Sequence, residues 1–158
     1  MQYEIDELDR EILQLLEKDS RLSNKQLSIR LHRSLTPIRV RVRRLQQEGF
    51  IRRYTVIVDP KRIGLNLIVY THVQLKEHSQ KSLLTFSREV IKLNEVMECY
   101  HMTGAFDFLL RIAIRDMNEY NELVMNKLSN LPDVGTMQSF FVMSEAKYET
   151  ALLTNKNA

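Results

Sequence analysis

Residues 34–53 read SLTPIRVRVRRLQQEGFIRR, and this stretch decides how the N-terminal part of the chain folds. Ser34 is a suitable N-cap for a helix, and Pro37 suits its first turn, where a missing N–H costs nothing. Gly49 suits the C-terminal cap, because glycine readily adopts the left-handed conformation found there. The stretch therefore predicts a helix between Ser34 and Gly49, about four turns long at 3.6 residues per turn.

The apolar residues of this helix lie on one narrow stripe at about 100° per residue, which indicates the buried side: Ile38, Val42 and Leu45. The opposite side is mostly polar and basic: Thr36, Val40, Arg43, Arg44 and Gln47. Such a helix packs on its neighbours through the stripe and presents the other face outward.

Two shorter helices are predicted upstream. Asp6 is a plausible N-cap for the first, which should end near Lys18, and its apolar side carries Leu8, Ile12, Leu15 and Leu16. Ser23 with Gln26 forms a capping-box signal for the second. Three short helices followed by a β-rich run over Phe50–Val58 predict a winged helix-turn-helix.

Charge is concentrated in the same region. Residues 30–62 carry ten Lys or Arg against Glu48 and Asp59, a net charge of +8, within a chain whose total is +3. So much clustered positive charge repels itself, and a polyanionic partner explains why it persists. We therefore expect binding of double-stranded DNA.

Guanidinium groups pair with phosphates or guanine edges, while short side chains near a helix N-terminus meet base edges or thymine methyl groups. The predicted DNA-binding residues are Ser34, Thr36, Arg39, Val40, Arg43, Arg44, Gln47, Arg52 and Arg53. A competing interpretation is that Arg41 and Arg44 form ion pairs within the domain.

The C-terminal part alternates between strand and helix patterns. Period-two alternation over Leu67–Leu75 predicts a strand, and Ser79 begins a helix. Two more strands, a helix capped at Asp116 and a last strand over Val134–Met143 complete the order β-α-β-β-α-β. This order predicts a ferredoxin-like α+β domain. We expect a DNA-binding domain over residues 1–59, a linker over 60–65 and a second domain over 66–158.

Both helices of that topology cover one sheet face, yet the strands are apolar at positions of both parities, as in Phe140 and Phe141. Exposure of such a face is unusual for a monomer, so we expect a homodimer formed through it.

Other classes of function find little support. No apolar run reaches the roughly 18 residues that span a bilayer. The acidic start Met1–Arg10 lacks signal-peptide features, and Cys99 is alone, so a cytoplasmic location is expected. Cys99 and His101 share a strand face but lack further ligands. No cofactor, metal site or catalytic residue is predicted.

Several motifs resemble those of the leucine-responsive regulatory protein/AsnC family of bacterial and archaeal transcriptional regulators. They include Leu8-Asp9-Arg10, the segment from Ser34 to Ile51, Val96-x-Glu98-Cys99 and the run from Thr103 to Asp107. Their order and spacing across about 100 residues carry the resemblance.

The resemblance implies dimers that assemble into octamers or larger discs and an amino-acid effector bound between neighbouring dimers. It also implies that the effector pocket includes the hairpin residues Thr103, Gly104, Ala105, Phe106 and Asp107. Ala105 replaces an acidic residue of the family pattern, which removes one charged group that would recognise an amino acid.

Two alternatives remain at this point. One is a DNA-architectural protein without an effector, which Ala105 favours. The other is an enzyme that resembles sirohaem decarboxylases, which share this two-domain plan and rely on histidines and arginines in the C-terminal half. His72 and His101 are the histidines that keep this alternative open. The basic third helix weighs against the enzyme.

Overall fold

A computed structural model describes residues 3–152, which form two compact units. The first unit comprises the described residues up to Ile57 together with residues 147–152, and the second spans Val58–Ala146. The predicted boundaries differ from this division at the tail, because residues 147–152 pack with the first unit rather than the second. The backbone N–H of Leu152 donates to Glu17 of the first unit over 2.9 Å. Residues 1–2 and 153–158 of the predicted domains lie outside the described residues.

The first unit contains three helices: α1 (Glu7–Lys18), α2 (Asn24–Arg30) and α3 (Leu35–Gln47). Asp6 is the N-cap of α1, as predicted, and forms a capping box with Asp9. The predicted capping box at Ser23 begins α2. Ser34 occupies the N-cap position of α3, but its side chain makes no capping hydrogen bond. Gly49 follows α3 with φ of 79°, the left-handed conformation that terminates a helix.

The second unit has the order β1 (Leu67–Leu75), α4 (Gln80–Val90), β2 (Val96–His101), β3 (Phe108–Ile114), α5 (Met117–Asn126) and β4 (Val134–Phe141). The four strands form an antiparallel sheet in the order β2-β3-β1-β4. This is the predicted ferredoxin-like arrangement, and the fold class is therefore confirmed. The predicted linker over residues 60–65 contains a short 3₁₀ turn, Lys61–Ile63, and belongs to this unit.

Each unit has its own hydrophobic core. In the first, Ile12, Leu27, Ile38 and Leu45 are fully buried. In the second, α4 and α5 cover one face of the sheet, where Phe86 packs with core residues of β1 and β3 such as Val69 and Leu110. Thr71 is buried in the same unit, and its hydroxyl forms a 3.0 Å hydrogen bond with the hydroxyl of Tyr120. This bond replaces the water that the buried hydroxyl has lost.

The other face of the sheet carries large side chains that the chain itself does not cover. Tyr70 of β1, Tyr100 of β2 and Phe140 of β4 are all exposed, and Tyr70 pairs directly with Phe140 in the β1–β4 register.

The helices within residues 3–152 include none with the length and apolar character of a membrane span.

The β-rich run predicted over Phe50–Val58 forms no strand within the single described chain. A strand requires a hydrogen-bonding partner, and no other described segment pairs with these residues. Val56 consequently stands 79% exposed, with Ile57 and Val58 beside it also exposed.

Candidate DNA-binding surface and effector loop

Helix α3 turns its apolar stripe into the core and presents the opposite face to solvent. Ile38 and Leu45 are fully buried, and Val42 is nearly so. Their burial leaves Thr36, Val40, Arg43 and Gln47 exposed on the other side. The side of α3 predicted to face outward is therefore exposed to solvent at these four residues.

Eight of the nine residues predicted to bind DNA are exposed: Ser34, Thr36, Arg39, Val40, Arg43, Gln47, Arg52 and Arg53. Arg39 and Arg43 form no ion pair with any residue in the described part of the chain. An arginine without an internal partner keeps its guanidinium donors available for a phosphate or a guanine edge.

Arg44 is the ninth, and the structure places it differently. Its side chain is half-buried, and its guanidinium carbon lies 4.3 Å from the centre of the Tyr3 ring. A cation in this position is attracted by the ring electrons. The Arg44 Nε atom is buried without a hydrogen-bond partner among the residues described. Arg44 therefore packs α3 against the N-terminal segment through Tyr3, and its contact with DNA stays a prediction.

Arg41 forms a partly buried ion-pair network with the start of α1. Its Nη1 atom lies 2.8 Å from Oδ1 of Asp9, which is fully buried, and 2.7 Å from Oδ2 of Asp6. The hydroxyl of Tyr3 also donates to Asp9. Ion pairing within the domain, one of the two interpretations of Arg41, is therefore confirmed.

The pKa values of this network reflect its hydrogen bonds. The hydrogen bond to Asp9 raises the pKa of Arg41 above its usual value. The backbone N–H of Asp9, assisted by Arg41, lowers the pKa of Asp6. The charged forms of both partners are thus favoured in the folded state, as an ion pair requires.

Sequence reasoning missed Asp9 as a core residue, although a signal was present. Asp9, Ile12, Leu13 and Leu16 have the i, i+3, i+4, i+7 spacing of a buried helix face. A carboxylate on that stripe requires a buried cation, and Arg41 of α3 lies within reach of it.

The predicted effector residues form the connection between β2 and β3. Thr103, Gly104 and Ala105 are exposed, and Gly104 has φ of 111°, a conformation that side chains disfavour. The turn is closed by a 2.8 Å hydrogen bond from the N–H of Met102 to the carbonyl of Asp107.

The Asp107 carboxylate already has two partners within the unit. Its Oδ2 accepts from the backbone N–H of Leu75 over 2.7 Å, and its Oδ1 lies 2.9 Å from Nδ1 of His78. Asp107 therefore anchors the loop to the end of β1.

The loop is also joined to the open sheet face by an aromatic stack. The His72 ring lies 4.6 Å from that of Phe106 and 5.2 Å from that of Phe140, centroid to centroid. His72 thus packs between aromatic rings, while His101 stacks on Phe108 at 5.2 Å. Among the described residues, no group of three or more His, Cys, Asp or Glu could hold a metal ion.

The basic face of α3 and the helix-turn-helix define a DNA-binding protein that carries a separate ferredoxin-like unit. Comparison with known proteins agrees. Residues 5–52 match the family described as winged helix-turn-helix DNA-binding, and residues 68–152 match the Lrp/AsnC ligand binding domain. The chain belongs to the Lrp/AsnC family of transcriptional regulators.

Relatives and solved structures support this assignment. The chain is 37% identical over 150 residues to the leucine-responsive regulatory proteins of Escherichia coli K12 and Salmonella typhimurium, covering 95% of this chain and 92% of each relative. A Neisseria meningitidis transcriptional regulator solved in complex with L-Met is 32% identical, with a TM-score of 0.88 over 94% of this chain and 96% of that one. E. coli AsnC is 26% identical, with a TM-score of 0.86 over 94% and 98%.

We predict different effects on stability for two nearby arginines of α3. Arg41→Ala leaves the buried Asp9 carboxylate without its cation and should destabilise the protein by about 2–4 kcal/mol. Arg43→Ala should change stability by less than about 0.5 kcal/mol, because its side chain is exposed. Urea unfolding followed by circular dichroism measures both. Equal stabilities of the two variants would contradict the structural role of the Arg41 network.

Proposed function

We propose that this regulator acts as a homodimer, or a larger homo-oligomer such as an octamer, whose paired α3 helices bind a pseudo-palindromic DNA site in the cytoplasm. We further propose that an amino acid or related small effector controls it and that it catalyses no reaction and needs no cofactor. The exposed face of α3, with Arg39 and Arg43 unpaired in the described chain, is the observation that carries the DNA-binding part.

The proposed DNA contacts are the exposed residues of the predicted set. Thr36, Val40, Arg43 and Gln47 lie on one face, and Arg39 flanks it. Ser34 precedes the helix, while Arg52 and Arg53 follow it. Arg41 and Arg44 instead hold α3 against the N-terminal segment and the start of α1. This division separates two kinds of arginine, those that contact phosphate or bases and those that hold the helix in place.

We predict that DNA binding depends steeply on salt. Raising salt from about 50 to 200 mM should weaken binding of wild-type protein by at least about two orders of magnitude, because bound phosphates release counterions. Each phosphate contact that Arg43→Ala removes should reduce the magnitude of the slope of log K against log salt by about 1. A dimer that loses one contact in each protomer therefore loses about 2 in all. Fluorescence anisotropy of a labelled duplex measures both quantities. Binding that is indifferent to salt would contradict the proposed DNA surface.

The proposed dimer interface is the open face of the sheet. Tyr100 is 50% exposed and Phe140 is 46% exposed there, so a second copy would remove substantial apolar area from water. The unpaired, exposed segment Val56–Val58 also lacks a partner in the described chain, and the same segment of a second copy would supply one. The two surfaces together favour a symmetric pair of chains.

We expect Phe140→Asp to shift the protein from dimer to monomer, because two charges would be buried in the symmetric interface without partners. Exposure of Phe140 in the single chain means that the substitution should not disrupt folding of the protomer. Sedimentation velocity at micromolar concentration measures the assembly. The double variant Arg43→Ala, Gln47→Ala is the control, and it should remain dimeric while its DNA affinity falls.

The effector proposal rests on the ligand-binding domain and on the exposed loop. The N. meningitidis relative was solved with L-Met, which supports an amino acid as the class of ligand. In this chain, Thr103, Gly104 and Ala105 offer exposed backbone groups to such a ligand, whereas Asp107 is engaged with Leu75 and His78. An effector-independent architectural protein is the second candidate, because Ala105 supplies no charge.

A thermal-shift screen of the full chain against the L-amino acids distinguishes these candidates. We expect at least one to raise the melting temperature with a concentration dependence that follows its Kd. Ala105→Asp should strengthen that response, because the new carboxylate attracts the ammonium group. Asn118→Asp, which adds the same charge on α5, should leave it unchanged. If no amino acid shifts the melting temperature of wild type or Ala105→Asp, the architectural candidate is favoured.

The enzyme alternative is weakened. The relatives of this chain are named as regulators, and His72 is packed between Phe106 and Phe140 rather than beside a charged partner.

We also propose that residues 1–59 form the DNA-binding region and that residues 66–158 form the region for effector binding and oligomerisation.

A further inference from the structure

An apolar side chain stands in the middle of the basic face of α3. Val40 is 57% exposed, lies one turn after Thr36 and is flanked along the sequence by Arg39 and Arg41. Thr36 is exposed as well and contributes a second methyl-bearing side chain to the same side of the helix. The two side chains form a small apolar patch, which we call the Thr36–Val40 patch.

Folding does not explain this patch. A β-branched residue loses side-chain freedom in a helix, so valine is not favoured there by helix propensity. Val40 belongs to neither hydrophobic core of the described chain, unlike Ile38 and Val42 on either side of it. Single exposed apolar residues are common on proteins. The position of this one is the informative feature, because the N-terminal part of a recognition helix contacts base edges in the major groove.

The chemistry of the major groove restricts what an apolar patch can recognise there. Among the four bases, only thymine presents a methyl group, at C5, and apolar contacts from valine or threonine methyls suit it. Guanine, adenine and cytosine present hydrogen-bonding groups at their edges, which Val40 cannot pair. Arg39 and Arg43 are exposed beside the patch and can satisfy neighbouring phosphates or guanine edges.

We propose that the Thr36–Val40 patch determines sequence specificity by contacting the C5 methyl group of thymine in each half-site. Membership of the family establishes DNA binding but not which bases are read. The proposal adds the chemical group that is recognised and the residue that recognises it. It rests on the proposed placement of this face of α3 in the major groove.

The experiment begins with in vitro selection of duplexes that the full-length wild-type protein binds. Each thymine of the selected half-site is then replaced by deoxyuridine, which lacks only the C5 methyl group. We expect one or two positions at which the replacement weakens binding about fourfold per methyl group removed, the equivalent of burying one such group. Val40→Ala should bind thymine and uracil duplexes with nearly equal affinity at a sensitive position.

Two control variants keep the test decisive. Leu84→Ala truncates another exposed aliphatic side chain, on α4, and should retain the full preference for thymine. Val40→Ile keeps the methyl groups and should also retain the preference, which ties any loss in Val40→Ala to the missing methyl groups. If Val40→Ala binds DNA weakly, lower salt brings its affinity into the measurable range. Because Val40 is exposed, we expect the melting temperature of Val40→Ala to remain within a few degrees of wild type.

Two results would overturn the inference. One is a wild-type affinity that does not change when any thymine of the half-site becomes uracil. The other is a Val40→Ala variant that retains the whole preference for thymine. Either result leaves selection of a DNA sequence by the wild type intact, so DNA binding itself would stand. Failure of the wild type to select any duplex would instead contradict both this inference and the proposed function.

Discussion

Helix α3 must bury Ile38, Val42 and Leu45, and the other features of the DNA-binding unit follow from this constraint. A helix that buries one stripe has its remaining side chains set by the helical repeat. Arg43 consequently points to solvent, whereas Arg41 and Arg44 fall on a flank that meets the N-terminal segment. The basic stretch therefore contains two groups of arginines, one exposed and one partnered within the unit, although their residue type is the same.

The flank contacts impose a chemical requirement on helix α1. A buried carboxylate at Asp9 would be costly alone, and Arg41 and Tyr3 supply the charge and the hydrogen bond that compensate for its loss of water. Asp6 is shared between the cap of α1 and the same arginine. The start of α1 and the middle of α3 are thus held in one geometry, which sets the direction in which the exposed face of α3 points.

In the second unit, the corresponding constraint is a sheet with helices on only one face. The hydroxyl of Thr71 is satisfied inside the core by Tyr120, while Tyr70, one residue earlier, faces the uncovered side. His72 and Phe106 connect that uncovered side to the loop before β3. The loop and the uncovered sheet face therefore share one cluster of aromatic side chains.

The sequence by itself determined the helix boundaries, the order of helices and strands along the chain and the exposed residues of α3, because capping residues and hydrophobic periodicity are local properties. Only the tertiary structure decided the roles of Arg44, Asp9 and Asp107. Their partners, Tyr3, Arg41 and His78, are distant in sequence or lie on other elements, and no local pattern specifies such pairing. The lack of a strand over Phe50–Val58 in the described chain has the same cause, since a strand exists only when another segment pairs with it.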